Sequence, residues 1–220
     1  MKISIIDIGS NTIKLVIYGV KKDNSFIGVH QESSKVRLGE SLASSDSLNE
    51  QSILKSIDVL LLYRDIARLH SANKVICVGT SAVREAKNGK YFIDQVFEKT
   101  GLRVKVLNGQ EEAFYSYLGA SISTCIPNGL FFDLGGGSLE IVYTEDFKIK
   151  KAQAFPLGAL RLTKTFANQD GSFSKKDCDN MTHQIVDTLP TKKSYGIGID
   201  TLLVGVGGTL RALGRYEQMR

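Results

Sequence analysis

The chain has no tryptophan, only three prolines, three cysteines and three histidines in 220 residues. Cys77, Cys125 and Cys178 are odd in number and far apart, which excludes a disulfide framework, and neither they nor His30, His70 and His183 have zinc-ligand spacing. No histidine has a neighbour that would make a catalytic pair with it. Cys77 sits in the apolar run Val75–Val78 and reads as a small buried hydrophobe. Apolar runs long enough to cross a bilayer are also missing. The N-terminus lacks a secretory pattern, since a single Lys2 precedes a strand-like run broken by Asp7. These absences give the expectation of a cytoplasmic protein with no membrane partner. Charge of one sign is modest: 28 basic against 23 acidic residues leave a net +5. That balance suits a polyanionic small molecule or polymer and is too weak to require nucleic acid. The small clusters Lys148, Lys150, Lys151 and Lys192, Lys193 read as solvated surface.

Glycine is plentiful, and it is placed at strand ends. The run Phe131-Phe132-Asp133-Leu134-Gly135-Gly136-Gly137-Ser138 is a buried strand that delivers a carboxylate to a glycine turn. A second strand, Leu139–Thr144, follows with Glu140 near its start. Ile3–Ile8 repeats the pattern, with Asp7, Gly9, Ser10, Asn11 and Thr12 ahead of a strand from Ile13. Near the C-terminus Leu202–Val206 runs into Gly207, Gly208 and Thr209. Glycine turns let backbone approach a ligand closely, and successive N–H groups in such turns form anion-binding nests. A carboxylate beside a phosphate-sized nest makes sense with a divalent cation between them, because Mg²⁺ typically takes one or two carboxylates plus substrate phosphates. Three such turns indicate one phosphate site built from two halves of a duplicated fold.

Taken in order, residues 2–31 read as three strands and 32–47 as a polar loop with a short helix. Ser47 or Asn49 is expected to cap a helix carrying Ile53, Ile57, Leu60, Leu61 and Ala67 to about His70. Val75–Val78 is a strand. The Thr80-Ser81 pair is expected to cap a helix that presents Arg84. Lys90–Lys99 is a helix closed by Gly101, and Val104–Leu107 a short strand. Glu111 and Glu112 fall in the first turn of a helix running to about Ser121, where they favour the macrodipole. Adjacent residues do not share a helix face, so at most one of them enters a site. The segment 122–128 is the expected boundary, giving domains 1–124 and 125–220. Beyond the central hairpin come a strand at Lys150–Phe155, a helix from Pro156, a helix capped by Ser174, the strand at 202–206 and a helix from Thr209.

Six stretches together resemble the exopolyphosphatase / guanosine pentaphosphate phosphohydrolase (Ppx/GppA) family of the actin–hexokinase superfamily. They are Ile6–Ile17, Gly79–Gly89, Leu107–Ala113, Asp133–Val142, Phe155–Thr163 and Val204–Leu213. The resemblance implies an α/β fold of two ribonuclease-H-like lobes with a cleft between them. It implies release of terminal phosphate from inorganic polyphosphate or guanosine pentaphosphate (pppGpp), with Mg²⁺ as cofactor. Residue by residue, it makes Glu112 the catalytic base. It assigns phosphate binding to Gly9, Ser10, Asn11, Arg84, Gly135, Gly136, Gly137, Ser138, Gly207, Gly208 and Thr209. It brings Asp7, Asp133 and Glu140 to the metal, directly or through water. Family members usually continue well past the third turn, so the second lobe is expected to be short, with apolar helix faces that favour a homodimer or partner contact. Two other functions fit the same motifs: a polyphosphate- or alarmone-binding module without catalysis, and an actin-like ATPase or sugar-kinase-like enzyme. The last would need an adenosine pocket beyond the third turn.

Overall fold

Residues 2–35 form a meander of three strands in the computed structural model, which describes residues 1–191, 195 and 201–219. Strands β1 (Lys2–Ile8), β2 (Thr12–Val20) and β3 (Phe26–Lys35) pair antiparallel in sequence order. β3 continues past the expected residue 31 because its ladder with β2 runs to the pair Thr12↔Lys35. A short helix α1 (Leu42–Ser45) and the long α2 (Glu50–Leu69) follow, then β4 (Lys74–Gly79), α3 (Ser81–Glu85), α4 (Gly89–Thr100) and β5 (Val104–Val106). β4 and β5 add in parallel, giving the order β3-β2-β1-β4-β5.

The period-two pattern decides which face of this sheet is dry. Ile6 pairs with Leu15, Ile8 with Ile13 and Ser4 with Ile17, and all six are buried. Directly opposed residues share a face, so these form one buried surface, apolar apart from Ser4, against which α2 lays Ile53, Ile57, Leu60 and Tyr63. Each such side chain, fully buried, contributes about 1.5–3 kcal/mol. Asn49, rather than Ser47, caps α2, its side chain accepting the Ser52 N–H at 2.7 Å. Cys77 is buried in this core, as its apolar neighbourhood implied.

The second sheet repeats the plan. α5 (Gly109–Thr124) precedes the meander β6 (Gly129–Leu134), β7 (Leu139–Glu145) and β8 (Lys148–Phe155). Then come α6 (Ala159–Phe166), α7 (Lys175–Thr188), β9 (Leu202–Val206) and α8 (Gly207–Gln218). The sheet order is β8-β7-β6-β9, with β9 parallel to β6. Ala113 and Tyr117 of α5 pack on Phe131 and Val142, with the Tyr117 and Phe131 rings edge-to-face at 4.8 Å. Ile141 and Tyr143 build a separate cluster with Tyr195. Ser174 caps α7 as expected, in a reciprocal box with Asp177. α6 begins at Ala159 and not at Pro156: the Leu157 N–H turns back to the Phe155 carbonyl at 2.8 Å and the Gly158 N–H donates to the glycine turn.

Contacts divide the chain into Met1–Leu107 and Asn108–Arg220. The division falls earlier than the expected 124/125 because α5 buries its apolar residues against β6 and β7. No helix among the described residues is long and apolar enough to cross a membrane. Lys148 and Lys150 are exposed, as expected, with Lys150 3.4 Å from Glu145, whereas Lys151 is half-buried with its ammonium 4.6 Å from the Tyr195 ring centre. Lys192 and Lys193 lie outside the described residues.

Candidate functional site

The first and second glycine turns are the same object built twice. β1 and β2 close on the pair Ile8↔Ile13, leaving the four-residue turn Gly9–Thr12. β6 and β7 close on Leu134↔Leu139, leaving Gly135–Ser138. In each, the first residue donates its N–H to the carbonyl of the fourth: Gly9 to Thr12 at 3.1 Å, Gly135 to Ser138 at 3.0 Å.

Both turns are also held from outside by their carbonyls. In the first unit Gly39 donates to the Ser10 carbonyl at 2.8 Å, and Val36 and Arg37 both donate to that of Asn11, at 3.1 and 2.9 Å. In the second unit Ala159 donates to Gly135 at 2.9 Å, Leu160 and Arg161 donate to Gly136 at 2.9 and 3.1 Å, and Gly158 donates to Gly137 at 3.3 Å. The Arg161 Nε–H adds a bond to the Gly137 carbonyl at 2.9 Å. The approach is so close that a Cβ on Gly158 would stand 2.3 Å from the Gly137 carbonyl carbon. With the carbonyls committed, the N–H groups of Gly136 and Gly137 donate to nothing among the described residues, and the same holds for Ser10 and Asn11. Grouped backbone donors of this kind receive anionic oxygen.

The carboxylates stand one step before each turn. Asp133 is directly opposite Glu140 across the β6–β7 ladder, which places both on one face. Glu140 is buried. The matching pair in the first unit is Asp7↔Lys14, a carboxylate opposite an ammonium-bearing residue. Asp7 also acts on its surroundings: burial first, and the Asp7 charge second, push the Cys77 thiol up to about 12. The parallel strand beside each hairpin brings the next turn alongside. Asp133 pairs with Val206, so Gly207 follows at once, with φ 94°. A Cβ there would lie 2.5 Å from Asp133 Oδ1, which explains glycine at this position on two counts. Gly208 and Thr209 complete the first turn of α8. In the first unit Asp7 pairs with Val78, and Gly79 and Thr80 lead to Ser81, whose Oγ lies 2.9 Å from Ser10 Oγ. Thr80 stands at the N-cap of α3 but makes no side-chain capping bond, contrary to expectation; its hydroxyl lies 3.4 Å from the Ile8 carbonyl.

Arg84 is held in place: its Nη1 donates to the Leu107 carbonyl at 2.8 Å, and its Nη2 lies 3.9 Å from Glu85. On α5 the two neighbouring glutamates separate. Asn108 accepts the Glu111 N–H at 2.9 Å while Glu111 Oε2 accepts the Asn108 N–H at 3.0 Å. Glu111 therefore belongs to the cap. Glu112 shares its helix face with Ser116, four residues on, and the Ser116 hydroxyl donates to Asp133 Oδ2 at 2.5 Å. Ser116, Asp133, Glu140, Ala113, Phe131 and Val206 line a small recess of about 10 Å³, about the room one water needs.

The first unit thus gathers Asp7, Gly9, Ser10 and Asn11, with Ser81 added. The second gathers Asp133, Gly135–Ser138, Glu140 and Gly207, with Ser116 added. The sequence assigned no role to Ser116 or to the first holding segment, and marked Phe155–Thr163, with Arg161, only as part of the resemblance. A signal for the segments existed: Leu38-Gly39 and Leu157-Gly158 each follow the third strand of a unit.

A family model for the Ppx/GppA phosphatase family matches residues 16–219. The bifunctional 3-dehydroquinate synthase/phosphatase of Fusobacterium nucleatum is 31% identical over 215 residues, covering 93% of this chain and 32% of that protein. Exopolyphosphatase 1 of Mycobacterium tuberculosis is 28% identical over 220 residues, covering 98% and 63%. The guanosine-5'-triphosphate,3'-diphosphate pyrophosphatase of Vibrio vulnificus is 28% identical over 211 residues, covering 94% and 42%. The chain therefore spans less than two thirds of the length of these relatives. Among solved structures, an exopolyphosphatase from Cytophaga hutchinsonii superposes with a TM-score of 0.91 at 27% identity, over all of this chain and 70% of that one.

Proposed function

The chain belongs to the Ppx/GppA phosphatase family, and from that premise we propose that it releases the terminal phosphate of inorganic polyphosphate or of pppGpp. The observation that carries this reading is the construction of the two turns, whose carbonyls are tied back while their amides are left to bind. A transferring phosphoryl group is charge-rich and loosely bonded, so a protein acts on it by positioning and neutralising more than by covalent chemistry. The amides at Ser10 and Asn11 in the first unit, and at Gly136 and Gly137 in the second, are suited to hold phosphate oxygens, and Ser138 is assigned the same role. Arg84 adds a planar donor fork. Gly207, Gly208 and Thr209 are assigned the same role at the start of α8, where backbone N–H groups and the helix dipole favour an anion.

Glu112 is the proposed base. It takes a proton from water as the water oxygen bonds to the terminal phosphorus, while the bond from phosphorus to the bridging oxygen breaks and the shortened chain leaves with its electron pair. A positioned base contributes about 10²–10⁴-fold.

Asp133 and Glu140, paired on one face, fit Mg²⁺ by the chemistry of the donor set. One or two carboxylates with substrate phosphates are its usual ligands. Asp7 is the corresponding carboxylate of the first unit and is proposed as a cation-binding carboxylate of that unit. Bound there, the ion would supply charge to offset the phosphate oxygens.

The test is phosphate release by the purified chain with Mg²⁺, on long polyphosphate and on pppGpp, against Glu112→Gln. Release that needs Glu112 supports the reading, and the ratio of the two rates names the substrate. Phosphate release at the wild-type rate by the variant removes Glu112 from the mechanism.

A further inference from the structure

We propose that Ser116 is a positioning residue that makes Asp133 a one-oxygen ligand and thereby sets which divalent cation the second unit prefers. The proposal rests on the reading of Asp133 as a cation ligand.

Asp133 is gripped on two sides. Its Oδ2 receives the Ser116 hydroxyl at 2.5 Å. Its Oδ1 lies against Gly207, close enough that any side chain there would collide. The carboxylate is therefore fixed in rotation, with Oδ2 engaged by α5 and Oδ1 directed to the turn at Gly207. Ser116 is itself fixed, because α5 is anchored on both sides of it: Ala113, three residues before, and Tyr117, next to it, lie in the core with Phe131. The same hydrogen bond ties α5 to β6, so it also sets the height of Glu112, one helical turn earlier on the same face.

The chemical consequence concerns the ion. Mg²⁺ demands near-ideal octahedral geometry and takes few carboxylates, whereas Ca²⁺ accepts carboxylates through both oxygens in flexible, larger shells. A carboxylate with one oxygen already bound by a hydroxyl presents the other alone. This favours the smaller ion and penalises bidentate binding. Partners that orient a ligating carboxylate typically change metal affinity by about 10–100-fold when removed.

The experiment uses the whole chain and Mn²⁺ as the probe. Bound and free Mn²⁺ are measured by electron paramagnetic resonance, and Mg²⁺ or Ca²⁺ is added to displace it. Wild type is compared with Ser116→Ala, Ser116→Thr and Asp133→Asn, with thermal unfolding of each as the check on folding. For Ser116→Ala we expect Mg²⁺ to compete about 10-fold less well and the preference for Mg²⁺ over Ca²⁺ to shrink by about the same factor. Ser116→Thr keeps the hydroxyl and should restore both. If Ser116→Ala leaves the Mg²⁺-to-Ca²⁺ preference unchanged while Asp133→Asn abolishes Mn²⁺ binding, the role of Ser116 is overturned and Asp133 remains a ligand. If Asp133→Asn binds Mn²⁺ as wild type does, or wild type binds none, the ligand reading fails and this proposal with it.

Discussion

Glu111 turns its carboxylate back onto the Asn108 N–H at 3.0 Å, while its neighbour Glu112 shares a helix face with Ser116, the residue that holds Asp133. Two adjacent residues of the same chemistry are thus set on different faces by the hundred-degree step of the helix. Glu112→Gln should fold as wild type and lose about 10²–10⁴-fold in turnover. Glu111→Ala should do the reverse, losing about 1 kcal/mol of stability with its half of the capping box and keeping most of its turnover. Phosphate release paired with urea denaturation separates the two.

Glycine substitutions should divide according to what surrounds them. Gly158→Ala puts a methyl group into the backbone of Gly136 and Gly137, so the second turn must move. Phosphate release is expected to fall by more than tenfold, since a donor shifted from an oxyanion costs on the order of 10²–10³ in rate. Gly119 in α5 has open space where its side chain would be. Gly119→Ala should raise stability by about 0.5–1 kcal/mol with no loss of rate.

Arg161 holds the Gly137 carbonyl through its Nε–H. Hydrogen bonds from charged groups are worth about 1.5–3 kcal/mol. Arg161→Ala is expected to raise KM more than it lowers kcat, because the turn loses its hold while Glu112 keeps its place. Steady-state rates at varied polyphosphate concentration check this, and an effect on kcat alone counts against it.

Cys77 gives a prediction in pH. Its ordinary value of 9.0 rises to about 12 in the fold, through burial and then Asp7. Below pH 9 the thiol is protonated in both states and its contribution is fully present. Between pH 9 and pH 12 the unfolded chain gives up this proton and the native chain does not, so stability falls across that window. Crossing all of it amounts to about 4 kcal/mol. Urea denaturation at pH 8 and pH 10.5 should show a smaller decline in Cys77→Ala than in wild type. Thiol reagents at pH 8 should label exposed Cys125 and Cys178 in the native chain and Cys77 only after unfolding.

The duplication was legible because it lies in short-range patterns. An apolar strand, a carboxylate and a glycine turn occur together within about ten residues in each half, and both halves fold as that spacing implies. Features that depend on distant partners were not legible. Ser116 reads as one polar residue in a helix until β6 is packed beneath it. Thr80 has the side chain of a helix cap, but its hydroxyl lies nearest the Ile8 carbonyl of a neighbouring strand. The boundary was misplaced for a related reason: Pro127 marks a turn, whereas membership of a unit is decided by which sheet buries Ala113 and Tyr117.

The hold on each turn's carbonyls bears on the order in which the protein assembles. A β-hairpin closes in about 1–10 μs, but each hairpin supplies only the one bond inside its own turn, not the outside donors that hold the other carbonyls. Those arrive with Val36–Gly39 in one unit and Gly158–Arg161 in the other, after a third strand has been added. Each set of amides therefore has its native arrangement only where the meander and the following segment are both in place. A phosphate ligand that needs those amides recognises only chain in which both are in place, so its binding draws the population toward the completed unit by mass action.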